Sequence, residues 1–246
     1  MLERLGTYIS NNRSLIRTNQ MPQRAPNTRE RLLDAAEQLF AENGFDGTSL
    51  RAITTSAGAN LAAVNYHFGT KTGLIDAVFQ RRVEPINLER LHLLEQVTSA
   101  AAPDPPPLEE VLGALIAPVL QLRANRQRGE HTLRLLGRMF SEPGEIKLGV
   151  GEQFRETAMR FAAVLGRILP DLDQGELMWR MHFLIGSMAH TAAAGELIGH
   201  FSQGRCNPND VDGTIRRLTA FAAAGFRSAP AASTPIESGS TRGDLT

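Results

Sequence analysis

The sequence predicts an all-α protein, and three observations support this. Between about residue 27 and residue 227, apolar side chains recur at the i, i+3, i+4 spacing that gives a helix one buried face. Alternating apolar and polar runs bounded by turn residues, which indicate β-strands, are absent from the sequence. Glycine, proline and threonine interrupt the pattern where one helix would end and the next begin.

The composition is that of a globular protein with enough chain to bury a core. The 246 residues are 42% apolar and 21% charged. Basic and acidic residues balance at 26 each, so nucleic-acid binding would require a local motif rather than overall charge. The single cysteine, Cys206, excludes an intramolecular disulfide and favours the reducing cytoplasm. The uncharged stretch 181–195 is shorter than the roughly 18 residues that span a bilayer, so no membrane association is expected.

The two ends of the chain differ from the rest. Residues 1–26 carry scattered arginines without helical periodicity, which predicts a flexible, mildly basic arm. Residues 228–246 are rich in Ser, Thr, Pro, Ala and Gly, which predicts a disordered tail.

The first predicted helix spans about 27–43, with Leu32, Leu33, Ala36, Leu39 and Phe40 on one face. Gly44 fits its C-terminal end. Thr48 is the expected N-cap of a short second helix.

A turn at Gly58 separates this second helix from a third at Leu61–Phe68. Gly69 is expected to stop the third helix and Thr70 to cap a fourth. Pro85 is expected to end or kink the fourth helix. After a proline-rich loop at 100–107, the pattern predicts five more helices, at about 108–125, 130–141, 150–169, 173–201 and 209–227.

Residues 48–68 have the spacing of a helix-turn-helix, in which the second short helix enters the major groove of DNA. Small or amide side chains on its outer face suit base edges, namely Asn60, Ala62, Ala63 and Asn65. Hydroxyl, ring and cationic groups nearby suit phosphates, namely Thr48, Tyr66, His67 and Lys71. By spacing alone, an ordinary helical hairpin with a polar face remains an equal alternative.

The run from Thr28 to Phe79 closely resembles the DNA-binding region of the tetracycline-repressor (TetR) family of bacterial regulators. The matching features are LFAENGFDGTSLR, the Ala57–Gly58 turn, Tyr-His-Phe at 66–68, Lys71 and Leu74. The resemblance implies phosphate contacts by Thr48, Tyr66, His67 and Lys71, and base contacts from 60–66. Two positions depart from the family pattern, because Asn65 replaces a frequent aromatic residue and Leu61 a frequent lysine.

The resemblance also implies the domain organisation and the partners. A three-helix DNA-binding domain at 27–72 would precede a helical ligand-binding and dimerisation domain at 73–227. The protein would be a homodimer that binds a palindromic DNA operator and most often represses transcription. A dimer interface is expected from small and apolar residues of the last long helices, namely Gly186, Ala189, Ala193, Leu197, Leu218, Phe221 and Ala222. The same stripes could instead face the monomer's own core.

The segments at 60–69, 134–143 and 179–190 resemble the fatty-acid-responsive branch of the family. That resemblance implies a long-chain fatty acid or its coenzyme A thioester as the effector, held in an apolar tunnel with a cationic mouth. The expected ligand contacts are Arg134, Arg138, Met139, Met181, His182 and Phe183. Plain core packing is an alternative for these residues, and a drug-like or aromatic ligand controlling efflux or other genes is an alternative for the effector.

Two other classes of protein are disfavoured. No nucleophile elbow, P-loop or zinc-protease motif occurs, so the sequence predicts no enzyme, no cofactor and no metal site. A ligand-free architectural DNA binder would need a broadly basic face, yet six acidic residues offset six basic ones between 27 and 82.

Overall fold

The computed structural model describes residues 27–124, 126–139 and 144–230, and among these it contains ten α-helices and no strand. The expected all-α fold is therefore confirmed, whereas the arm at 1–26 and the tail from 231 lie outside the described residues. In chain order the helices are α1 (Thr28–Asn43), α2 (Leu50–Ser56), α3 (Leu61–Phe68), α4 (Lys71–Ala101), α5 (Leu108–Leu120), α6 (Arg126–Met139), α7 (Gly144–Ile168), α8 (Gln174–Ala194), α9 (Glu196–Phe201) and α10 (Val211–Arg227). Within the described ranges, none of the helices is long and apolar enough to cross a membrane.

The boundaries of the first four helices follow from local capping. The N-cap residues of α1, α3 and α4 are Asn27, Asn60 and Thr70, and the side-chain oxygen of each accepts the backbone N–H of the residue three positions later. Gly44 ends α1 at a φ of 77°, a left-handed conformation that favours glycine. The expected N-cap at Thr48 is wrong, because the Ser49 hydroxyl accepts the Ala52 N–H at the start of α2.

The helices enclose two hydrophobic cores. The first core joins α1–α3 to the beginning of α4 and is centred on three fully buried rings, Phe40, Phe45 and Phe79. Phe45 lies between the other two, with ring centroids 5.1 Å from Phe40 and 5.6 Å from Phe79. The second core joins the rest of α4 to α5, α6, α7, α8 and α10.

Helix α4 belongs to both cores. Its residues from Leu74 to Val83 pack in the first core, whereas Ile86 and Leu94 pack in the second. Pro85 lies at the change-over but does not end the helix, which continues to Ala101. The expected domain boundary between residues 72 and 73 consequently falls inside this one helix.

Helix α6 makes a second connection between the cores. Leu133 is buried in the second core, and Leu135 is fully buried in the first. Helix α6 also packs directly against α1.

Ion pairs fix α4 against α1. The buried carboxylate of Glu37 accepts Arg81 Nη2 at 2.6 Å with one oxygen and pairs with Arg82 Nη2 at 2.6 Å with the other. Arg81 Nη1 also donates to Asp34 at 2.7 Å. Burial alone would lower the pKa of Arg81, but the hydrogen bonds to Asp34 and Glu37 outweigh burial and raise that pKa.

The helix expected at 173–201 is divided at Gly195 into α8 and α9. Arg123 explains the division, because its guanidinium donates to the carbonyls of Thr191 and Ala192 at the end of α8. The same guanidinium packs against Gly195, where any side chain would overlap it. Local periodicity does not predict such a long-range helix cap.

We expect Glu37→Gln to lower the free energy of unfolding by about 3 kcal/mol, because two guanidinium groups lose their shared buried carboxylate. Urea denaturation at one fixed protein concentration measures this. Asp34→Asn is the matched control, since Asp34 contacts the same arginine but has a 63% exposed side chain, and it should cost less than about 1 kcal/mol. Equal losses in the two variants would contradict the role given to the buried carboxylate.

Candidate nucleic-acid interface

Helices α2 and α3 are held together by a tight turn and a small contact area. Gly58 in the turn has a φ of 58°, which a side chain would strain. Val64 is the one residue of α3 that is fully buried, while Phe68 packs against the edge of the first core. Most of the surface of α3 therefore faces solvent.

The exposed face of α3 consists of Leu61, Ala62, Asn65 and Tyr66. Tyr66 is the most exposed large side chain there, at 85%, and Leu61 is 49% exposed. Asn65 carries both an amide donor and a carbonyl acceptor, the pair that reads adenine in the major groove. Leu61 lies one helical turn before Asn65 on the same face, although sequence reasoning gave it no contact.

Two of the expected base contacts are changed by the structure. The Asn60 side-chain oxygen accepts the Ala63 N–H at 2.9 Å as the N-cap of α3, so Asn60 has a structural role while it stays exposed. Ala63 is half-buried against the first core rather than exposed. Ala62 and Asn65 are exposed on α3 itself, and Asn60 is exposed at its N-cap.

The expected phosphate contact at Thr48 is wrong. Its side chain is 2% exposed, and its hydroxyl donates to the carbonyls of Gly44 at 2.7 Å and Leu39 at 3.1 Å. Its backbone N–H bonds to the Phe45 carbonyl. Thr48 therefore fixes the α1–α2 connection, and the exposed Ser49 and Arg51 beside it present a hydroxyl and a cation at the start of α2.

The other expected phosphate contacts lie around the end of α3. Tyr66 is exposed, while His67 and Lys71 are half-exposed. The Tyr66 and His67 rings meet edge to face with centroids 4.9 Å apart. Arg29 of α1 adds a cation that the motif did not indicate, with its guanidinium 5.5 Å from the centre of the Phe68 ring.

The expected ligand contacts do not converge on one place. Met181 is buried in the second core. His182 and Phe183 are exposed on the outer face of α8, where Phe183 stacks on Trp179, so their assignment to a pocket is wrong. Arg134 is exposed on α6, and the side chains of Arg138 and Met139 lie outside the described part of the structure.

The expected dimer contacts divide into two groups. Leu218 and Ala222 are buried in the monomer's own core, so their assignment to an interface is wrong. Gly186, Ala193, Leu197 and Phe221 are exposed, and Ala189 is half-exposed. Larger apolar side chains that sequence reasoning missed share the outer surface of α8, with Trp179 59% and Phe183 61% exposed.

Family models match both parts of the chain. Residues 32–78 match the model described as bacterial regulatory proteins of the tetR family, and residues 113–225 match the tetracyclin repressor-like C-terminal domain. The chain belongs to the TetR family of transcriptional regulators. Its helix-turn-helix is therefore a DNA-binding unit, and the family is a class of DNA-binding regulators rather than of enzymes.

Sequence similarity to named regulators supports the same assignment over parts of the chain. The chain is 38% identical over 60 residues to the HTH-type transcriptional regulator UidR of Escherichia coli, which is 24% of this chain and 31% of UidR. It is 29% identical over 122 residues to the HTH-type transcriptional repressor BepR of Brucella suis, which is 50% of this chain and 55% of BepR. The matches thus span about a third to a half of these two relatives.

Solved structures show the same fold along most of the chain. The transcriptional regulator FadR of Bacillus subtilis, solved with stearoyl-CoA, aligns over 77% of this chain and 96% of its own, with a TM-score of 0.52 and 14% identity. At that identity the likeness establishes the fold alone. Regulators of the TetR family bind DNA operators, dimerise and bind small-molecule effectors.

Two substitutions separate base reading from phosphate binding. We expect Asn65→Ala to relax the preference at one base pair of each half-site by about 1–3 kcal/mol, because a bidentate amide contact is lost. Lys71→Ala should weaken binding about equally on every DNA sequence and lower the salt dependence by about one phosphate contact. Titrations against a set of single-base operator variants at several salt concentrations distinguish the two patterns. If Asn65→Ala reduces affinity uniformly, Asn65 does not read a base.

Proposed function

We propose that this protein is a homodimeric repressor that an apolar small molecule releases from a palindromic operator. The observation that carries the proposal is the continuity of α4, which starts beside the DNA-facing helix and ends inside the second core. A ligand that changes the packing of the second core also moves α3, because both are attached to one helix. This is a shift between DNA-competent and incompetent conformations of the dimer.

Each subunit reads half of the operator through α3. Asn65 and Ala62 face base edges, with Leu61 beside them for apolar contact. Ser49, Arg51, Tyr66, His67 and Lys71 surround this face and bind phosphates. The DNA-binding core has balanced charge, which suits a few placed contacts better than indiscriminate binding.

The outer surfaces of α8 and α10 form the dimer interface. Trp179 and Phe183 on α8, together with Phe221 on α10, which is 72% exposed, present an apolar area beside the small residues Gly186 and Ala224. Large exposed apolar side chains on neighbouring helices are typical of protein interfaces. A two-fold dimer then matches the two-fold symmetry of the operator.

The effector is a long-chain fatty acid or a closely related acyl compound. Support comes from the resemblance of the chain to the fatty-acid-responsive branch and from the fold shared with a regulator solved with stearoyl-CoA. The second core contains aliphatic and methionine side chains from α5 and α8, which can repack around an acyl chain. Repression is the expected sign of regulation, as in the named relative BepR.

Selection of bound fragments from sheared host DNA tests the regulatory function. At about 150 mM salt, where phosphate-only binding is weak, we expect enrichment of a short inverted repeat. Genes of lipid breakdown next to the repeat would support an acyl effector, whereas efflux genes would favour a drug-like ligand. Failure of the ligand-free protein to enrich any sequence would contradict the proposal.

Phe221→Glu tests the dimer interface. A carboxylate buried in an apolar contact has no partner there, so we expect the variant to sediment as a monomer where the wild type is a dimer. Operator affinity should fall by at least about 100-fold, because each subunit then binds one half-site alone. Leu88→Glu is the matched control, since Leu88 is 61% exposed on α4, and it should remain dimeric. A dimeric Phe221→Glu protein would exclude this face.

A further inference from the structure

Arg90 is the most deeply buried cation in the second core among the described residues. It lies on α4 with 3% of its surface exposed. Burial lowers the pKa of its guanidinium to about 10, so it still carries a positive charge at neutral pH. Burying a guanidinium this deeply costs free energy unless an opposite charge or several hydrogen bonds compensate it.

All the acceptors that Arg90 uses are neutral. Nε donates to the Leu115 carbonyl at 2.9 Å, Nη1 to the Asn87 side-chain oxygen at 3.4 Å, and Nη2 to the Met188 sulfur at 3.5 Å. Thioether sulfur is a weak acceptor, and each Nη retains a further N–H. None of the carboxylates that the structure describes forms an ion pair with Arg90.

Arg180, the other buried arginine in the second core, has the partners expected of a guanidinium with a structural role. Arg180 is 6% exposed, and it pairs with Glu176 at 2.9 Å. Its Nη1 also donates to the carbonyls of Gly225, Phe226 and Ser228, so that it caps the end of α10. Arg90 lacks both a carboxylate and a helix end of this kind.

Arg90 lies where three helices meet. It extends from α4 to Leu115 on α5 and Met188 on α8, among apolar residues of the second core. Its neighbour Asn87 donates to the Gln153 carbonyl on α7. The two Nη N–H groups that Arg90 leaves unused therefore lie inside an otherwise apolar region.

We propose that Arg90 anchors the effector by pairing with its carboxylate, so that the effector is a free apolar carboxylic acid rather than a coenzyme A thioester. This inference rests on the function proposed above and specifies its ligand. A carboxylate matches the two remaining Nη N–H groups in a fork-to-fork pair and supplies the missing negative charge. The acyl chain then packs among aliphatic and methionine side chains of the second core.

A thioester does not fit the same site. Its acyl carbonyl is uncharged, and its phosphates belong to a nucleotide head group that would bring several further charges into the core.

The position of Arg90 on α4 also connects the proposed ligand site to the DNA-binding helices. It is 19 residues after Lys71 on the same helix, which is about 28 Å along the helix axis at 1.5 Å per residue.

Calorimetric titration of the full-length, ligand-free protein tests the anchor with three ten-carbon probes, decanoate, decan-1-ol and decanoyl-coenzyme A. We expect decanoate to bind about 10- to 100-fold more tightly than decanol, because the charged pair forms only with the acid. The thioester should bind no better than decanol. If the wild-type protein binds decanol or the thioester as tightly as the acid, the inference is overturned.

Arg90→Met retains a long apolar side chain and removes the charge. Its affinity for decanoate should fall by about 10- to 100-fold while its affinity for decanol stays within about two-fold. Without ligand its Tm should be unchanged or higher, because an unpaired buried charge is removed. The matched control is Arg160→Met, since Arg160 is an exposed arginine on α7 that should leave both affinities unchanged. Undiminished decanoate binding by Arg90→Met overturns the inference.

Arg90→Lys covers the case in which Arg90→Met does not fold. Lysine keeps the positive charge but cannot form the two parallel hydrogen bonds of a guanidinium. We expect this variant to bind decanoate more weakly than the wild type binds decanoate, but more tightly than the wild type binds decanol.

Operator binding by the ligand-free protein is measured separately. A protein that selects an operator but does not discriminate the acid from the alcohol would refute the anchor and leave the regulatory function standing. A protein that binds the acid more tightly than the alcohol but selects no operator would support the anchor and refute the regulatory function.

Discussion

One helix shared by two hydrophobic cores is the constraint on which the rest of the structure depends. Leu74–Val83 of α4 cannot leave the first core, and Ile86 and Leu94 cannot leave the second, without exposing fully or nearly fully buried side chains. Because α4 is one continuous helix, a displacement of either core acts on the other. The pairing of Glu37 with Arg81 and Arg82 then fixes how α1 lies against this helix.

The parts of the fold that sequence predicted well are those decided locally. Helix α3 was predicted at its observed bounds, because its apolar stripe and the glycine that follows it are local signals, whereas its N-cap Asn60 had been expected to contact a base. Helix α4 was expected to end or kink at Pro85; it does not end there, and packing on both sides of that residue carries it to Ala101. The end of α8 depends on Arg123, a residue about 70 positions earlier, which no local pattern indicates.

The candidate sites were harder to predict than the helices, because helical spacing does not tell which stripe is the core. Leu218 and Phe221 lie three residues apart, yet Leu218 packs inward and Phe221 is exposed. Thr48 and Ser49 are adjacent hydroxyl residues, yet only Thr48 is buried, with its hydroxyl bonded to the carbonyls of Leu39 and Gly44. Arg90 went unnoticed because a single arginine in an amphipathic helix normally faces solvent.

The ion pair assigned to Arg90 also indicates why the effector should have an aliphatic chain as well as a carboxylate. Reversing a 99:1 conformational equilibrium requires about 10⁴-fold tighter binding to one conformation, or about 5.5 kcal/mol. A charged hydrogen-bonded pair accounts for about 1.5–3 kcal/mol of that. At about 0.8 kcal/mol per buried methylene, three to five methylene groups with differential contact supply the remainder. A short carboxylate such as acetate could pair with Arg90 but could not move α4 on its own, so charge selects the class of ligand and chain length determines whether it releases DNA.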